Sequence, residues 1–222
     1  MATAQAITIL QILQDTLAMP ELVKPKRDPF ETLIVTIISQ NTADRNTAVA
    51  FENLSKRFEI TPKALAKAEG SQIEECIKVG GLYKNKTRAI QTVSKLILQK
   101  FGGSLEPILA LPLEEARKTL TEMPGVGPKT ADVVLLFSAQ QPTIPVDTHV
   151  NRVSKRLGIA PESGDYEAVR SSLQALFPQK DYLAVHLLLI AFGRSYCKAH
   201  HPLCPTCPVN TYCPLNRSEK ND

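Results

Sequence analysis

A chain of 222 residues with 43% hydrophobic content can bury a substantial core, as one large domain or two small ones. Its formal net charge of +4 permits a nucleic-acid partner without demanding one. No stretch approaches the ~18 uninterrupted apolar residues of a membrane span, and Met1-Ala2-Thr3-Ala4-Gln5 lacks the charged flank and apolar core of a secretory signal. The expectation is a protein with no membrane association that stays inside the cell, in the cytoplasm or nucleoid. Nothing demands an oligomer, so a monomer is expected.

In chain order, Ile9, Leu10, Leu13 and Leu17 stand at helical spacing until Pro20 and the Lys24-Pro25-Lys26-Arg27 run interrupt them, which predicts a helix and then a link. Asp28-Pro29-Phe30-Glu31 places a capping acid, a first-turn proline and a third-position Glu ahead of Leu33, Ile34, Val35, Ile37 and Ile38. The helix they predict is buried on most sides. Further starts are predicted at Thr61-Pro62 and at Ser71 with Glu74, and stops at Gly80-Gly81 and Gly102-Gly103. Later helices are expected around Pro112 to Glu122, Lys129 to Ala139, Thr148 to Leu157, Tyr166 to Leu176 and Tyr182 to Ser195. Alternating strand-like runs are scarce, so the fold class is all-α. From Cys76 to Leu105 there is no acidic residue, while Lys78, Lys84, Lys86, Arg88, Lys95 and Lys100 offer positive charge to phosphates or simply to solvent.

Between two helical patterns lies Pro124-Gly125-Val126-Gly127-Pro128-Lys129-Thr130-Ala131-Asp132. Its glycines turn the chain tightly and present N–H groups at a helix start, a surface that holds phosphate without reading sequence; an αα corner has the same spacing. Lys129 falls in the first helical turn, where the dipole and the neighbouring N–H groups disfavour the ammonium form and so favour a nucleophilic amine. Downstream, Gln141-Pro142-Thr143-Ile144-Pro145-Val146-Asp147-Thr148-His149 is a proline-stiffened loop ending in an acid that caps a helix or serves a reacting sugar.

Cys197, Cys204, Cys207 and Cys213 follow C-x6-C-x2-C-x5-C, and four thiolates so close in sequence can hold zinc or an iron-sulfur cube. Spacing leaves the two level. His200 and His201 are surplus to a complete cysteine set, and Cys76 stands apart as a small hydrophobe.

The hairpin from Met123 to Lys129, the Val146-Asp147-Thr148-His149 segment and the cysteine tail, in this order and spacing, resemble the endonuclease III family of helix-hairpin-helix DNA glycosylases over nearly the whole chain. The resemblance implies a two-lobed fold, with a helical barrel over 28–140, a second domain from 1–27 and 141–222, and damaged double-stranded DNA in the cleft between. It implies a bifunctional glycosylase and AP lyase acting on oxidised or ring-saturated pyrimidines. By the same resemblance Lys129 would attack the sugar, Asp147 would stabilise the positive charge that develops there, and the four cysteines would hold a 4Fe-4S cluster beside the basic Arg194. Leu82 matches the family's wedge position, with Lys84 and Lys86 behind it. Asn41 takes the slot of the family's gap-filling glutamine, and Gln40 is displaced by one. Gly125, Val126 and Gly127 grip the backbone, and Thr148 and His149 match the segment near the lesion. A uracil or mismatched-thymine glycosylase of the same superfamily is the alternative, and a non-catalytic DNA-binding module is the alternative from another class.

Overall fold

The computed structural model describes residues 3–17 and 27–215, and Pro20 and the Lys24-Pro25-Lys26 part of the predicted link lie outside them. Among the described residues there are twelve α-helices and no strand. They are α1 (Thr3–Thr16), α2 (Pro29–Ser39), α3 (Asp44–Arg57), α4 (Pro62–Lys67), α5 (Gly70–Ile77), α6 (Tyr83–Lys100), α7 (Glu106–Leu109), α8 (Leu113–Thr121), α9 (Pro128–Ala139), α10 (Thr148–Arg156), α11 (Tyr166–Leu176) and α12 (Tyr182–Ser195).

Side-chain caps start four of these helices, α2, α4, α10 and α11. Asp28 Oδ1 accepts from the amide of Phe30 at 2.8 Å, with Pro29 opening α2. Thr61 Oγ1 accepts from Ala64 N at 3.2 Å and starts α4, and Asp165 Oδ1 accepts from Ala168 N at 2.9 Å and starts α11. The start predicted at Ser71 falls one residue earlier. Backbone bonds from Gln72 and Ile73 to Glu69 O wind the chain from Gly70. The two glycine stops hold, with φ +64 at Gly81 and φ +62 and +86 at Gly102 and Gly103.

The chain divides into two compact units, Pro25–Gln141 and Met1–Lys24 with Pro142–Asp222. In the first, α2 is the central element: Leu33, Ile34, Ile37 and Ile38 are wholly buried among Ile90, Val93 and Ile97 of α6 and Ala131, Val134 and Leu135 of α9. Each such side chain contributes ~1.5–3 kcal/mol on leaving water, so α2 anchors the elements that surround it. In the second unit, Ala6, Ile9, Leu10 and Leu13 of α1 join Val150 and Val153 of α10, Leu173 of α11, and Val185, Leu188 and Phe192 of α12. Among the described residues no single helix is long and apolar enough to cross a membrane.

Candidate active site and cysteine cavity

The hairpin joining α8 to α9 is fixed from several sides. Met123 and Val126 are buried, and Val126 N donates to Met123 O at 3.0 Å to close the turn. Gly125 sits at φ +83, and a Cβ there would stand 2.5 Å from the Cβ of Ala89, so only glycine fits. Gln40 Nε2 donates to Gly125 O at 3.0 Å and reaches Thr130 Oγ1 at 3.3 Å. Beneath the turn, Arg117 of α8 makes a two-pronged pair with the wholly buried Asp132 of α9, Nε to Oδ1 at 2.7 Å and Nη2 to Oδ2 at 3.3 Å. Pro128 opens α9, and Lys129 follows in its first turn, half-buried. Val126 is therefore part of the hairpin's frame, a correction to its expected place on the gripping surface. Among the described residues, the Gly125 and Gly127 amides have no intramolecular acceptor.

Two loops end in strained tips. Asn41 is exposed at φ 52 and Leu82 is 58% exposed at φ 48, both left-handed without being glycine. Core packing for Leu82 is thereby excluded. Gln40 and Asn41 part ways, the first tied to the hairpin and the second turned to solvent. Lys86 requires a second correction. Its expected role as a phosphate contact fails because the side chain is 4% exposed and Nζ donates to Ile38 O at 2.7 Å, to Gly80 O at 2.9 Å and to Thr42 Oγ1. Burial pushes this ammonium below the usual lysine range. Lys84 is exposed, as are Lys78, Arg88, Lys95 and Lys100.

In the other unit, the backbone entering Asp147 is held on both sides. His186 Nδ1 bonds Pro145 O at 2.9 Å, and Val146 N donates to the Tyr166 hydroxyl at 3.3 Å. Asp147 caps α10, its Oδ1 accepting from Val150 N at 2.7 Å. With Thr148, Asn151, Lys155 and Tyr166 it lines an open hollow of about 330 Å³. Thr148 is exposed, whereas the His149 ring sits 3.1 Å from Arg152 Nη2, which also donates to Gly193 O. Arg194 is exposed in the last turn of α12.

Cys197, Cys204, Cys207 and Cys213 line one cavity with Leu157 and Phe192. Two short 3-10 turns, Cys204–Thr206 and Asn210–Tyr212, deliver the last three thiols. From α10, Arg156 reaches the Cys197 sulfur at 3.7 Å and the carbonyls of Lys198 and Ala199 at 2.6 and 3.1 Å. Burial pushes the Cys207 thiol up, and the other three sulfurs add to that. Among the described residues no three His, Cys, Asp or Glu side chains converge on a single ion. His200 and His201 are exposed.

Sequence reasoning did not reveal the Arg117–Asp132 lock, the Gln40 tether, or the His186 and Tyr166 hold on the Asp147 loop. Each joins residues 15 to 90 positions apart, and no local pattern signals such a pairing.

Residues 34–179 match the HhH-GPD superfamily of base excision DNA repair proteins. The chain is 37% identical over 188 residues to endonuclease III of Sulfolobus acidocaldarius, covering 84% of this chain and 82% of that protein. It is 36% identical to endonuclease III of Thermotoga maritima over 190 residues, 86% of this chain and 84% of the relative. Among solved structures, a trapped covalent intermediate of endonuclease III with DNA superposes with a TM-score of 0.86 at 32% identity, covering 99% of both chains. A thermostable thymine-DNA glycosylase shares the fold with a TM-score of 0.79 at 20% identity, covering 97% of this chain and 98% of that one. The all-helical fold, the hairpin and these relatives agree: the chain belongs to the endonuclease III family of HhH-GPD base excision repair enzymes, which are DNA glycosylases and AP lyases.

Proposed function

We propose that this chain excises oxidised or ring-saturated pyrimidines from duplex DNA, with Lys129 as nucleophile and Asp147 as the carboxylate serving the reaction. The observation that carries the reading is the placement of Lys129 directly after a hairpin locked by Gly125, Gln40 and Asp132. Rigid support of this kind is what a nucleophile needs to meet a sugar carbon repeatedly in one geometry.

In the reaction, the Lys129 amine attacks C1′, the glycosidic bond breaks and the base leaves with the bonding pair. Loss of the amine proton and opening of the sugar give a Schiff base. Removal of a C2′ proton then expels the 3′ phosphate by β-elimination, and water releases Lys129 from the sugar. Asp147 stabilises the cationic sugar and assists the proton transfers; its cap bond uses Oδ1 alone. A relative solved as a trapped covalent intermediate with DNA supports a covalent course.

For DNA contact, the Gly125 and Gly127 amides suit a phosphate. Lys84, Arg88 and Lys95 share one face of α6 and suit further phosphates, with Leu82 at its start as the wedge and Asn41 as the gap-filling amide. Thr148, His149 and Arg194 complete the expected contacts. Cys197, Cys204, Cys207 and Cys213 suit a 4Fe-4S cluster, since four thiols line one cavity and supply the four thiolates such a cluster takes. These four cysteines would hold the cluster, which would tie together the loop from Cys197 to Cys213.

The test uses duplexes bearing thymine glycol, uracil, mismatched thymine or an abasic site, with borohydride present. The wild type is expected to form a trapped adduct with the thymine glycol and abasic duplexes, and Lys129→Gln none. Trapping of Lys129→Gln at wild-type yield would sink the nucleophile assignment. Preferential release of uracil or mismatched thymine would move the substrate class, and binding without cleavage of any duplex would leave a DNA-binding module.

A further inference from the structure

The one buried lysine of the basic stretch sits where two exposed loops are rooted. A lysine ammonium has three N–H donors, and all three on Lys86 find acceptors: Ile38 O in the last turn of α2, Gly80 O in the turn before Leu82, and Thr42 Oγ1 just after Asn41. The Thr42 hydroxyl also lies against Gly80 O and 3.1 Å from Gln40 O, so the two loops share one hydrogen-bonded root. A single cation thus joins a carbonyl at a helix C-terminus to one in a tight turn, and the Thr42 hydroxyl ties the same turn a second time.

Above this root stand the two left-handed, exposed, non-glycine tips, Asn41 and Leu82. Strained backbone of that kind persists only where its surroundings over-determine it. The surroundings shared by both tips are the Lys86 network.

We propose that Lys86 is a positioning residue that staples the Asn41 and Leu82 loops into one rigid pair, so that both enter the DNA duplex together when the damaged nucleotide is extruded. This rests on the DNA-cutting function proposed above and deepens it. A side chain that opens a base stack works against stacking and pairing, and a loop that yields transmits none of that force. Lys86 touches neither substrate nor reacting atoms. Its effect is therefore expected on the opening of the duplex and not on the chemical steps, a division that a general loss of structure does not produce.

The experiment compares kcat/KM for thymine glycol in a fully paired duplex with kcat/KM for the same lesion inside a short unpaired bubble, where little stacking remains to be broken. Lys86→Met is the main variant. Thr42→Val keeps the shape of the side chain while removing one acceptor, and serves if Lys86→Met does not fold. Lys86→Met is expected to lose about tenfold or more on the paired duplex and less than about threefold on the bubble, with Thr42→Val showing the same split at smaller size. Fluorescence of 2-aminopurine placed opposite the lesion should rise more slowly with either variant. Equal losses on both substrates, or no loss on the paired duplex from either variant, would overturn the staple. Failure of the wild type to cut either substrate would instead overturn the function on which it rests.

Discussion

Asp147 has two roles that one substitution separates. As an N-cap it satisfies the Val150 amide, and asparagine caps a helix about as well as aspartate. As the carboxylate of the proposed reaction it needs its charge, which asparagine lacks. Asp147→Asn is therefore expected to leave the denaturation midpoint nearly unchanged while slowing base release by about a hundredfold or more, whereas Asp147→Ala adds a stability loss of ~1 kcal/mol. Unimpaired base release by Asp147→Asn, followed on a thymine glycol duplex, would leave Asp147 as a cap alone. Gly125 is constrained twice over, by its left-handed backbone and by Ala89 against its open side. Gly125→Ala should cost ~1–3 kcal/mol in urea unfolding and weaken duplex binding, and the second change Ala89→Gly should recover part of both by restoring the space.

The hairpin shows how much of an element can be read from its own residues. Pro128 at a helix start, the flanking glycines and the capping acids of α2 and α10 announce themselves because each cap is made within four residues of its helix. Those boundaries, including the whole span of α11 and α12, were legible in the sequence. Lys86 was misread for the opposite reason, since Ile38 O and Thr42 lie more than 40 positions away and nothing in its neighbourhood distinguishes it from Lys84. The Arg117 pair belongs to the same class, and its two arms should behave differently. The arm to Asp132 is buried, and Asp132→Ala leaves a buried guanidinium with its main partner gone, an expected cost of ~3–5 kcal/mol. The arm to Glu114 is solvent-exposed on its acidic side, so Glu114→Gln should cost ~1 kcal/mol or less. Urea midpoints for the two variants check the contrast, and equal costs would mean that the buried arm contributes no more than the exposed one.

Each of the two units carries its own core, and they differ in what closes them. The Pro25–Gln141 unit is helical nearly throughout, with long apolar faces meeting around α2. The other unit carries the loop from Cys197 to Cys213, whose regular structure amounts to two 3-10 turns and whose ties include Arg156 bonds to Lys198 O and Ala199 O. Its backbone bonds are short-range turns for the most part, and a bound metal would add folding free energy by gathering the deprotonated ligands. The cysteine spacing was legible in the sequence, but the gathering of the four thiols around one cavity was not, because spacing along a chain does not fix separation in space. Cys207→Ser is expected to lower bound iron and sulfide and to expose the loop to trypsin at Lys198, which is already on the surface. Amide exchange in α2 to α9 should remain slow in the same sample, since that core draws on none of the four thiols. A loop still protected from trypsin without iron would show that Arg156 and the short turns suffice to hold it, and stoichiometric zinc in anaerobically prepared wild type would replace the cluster with a single ion.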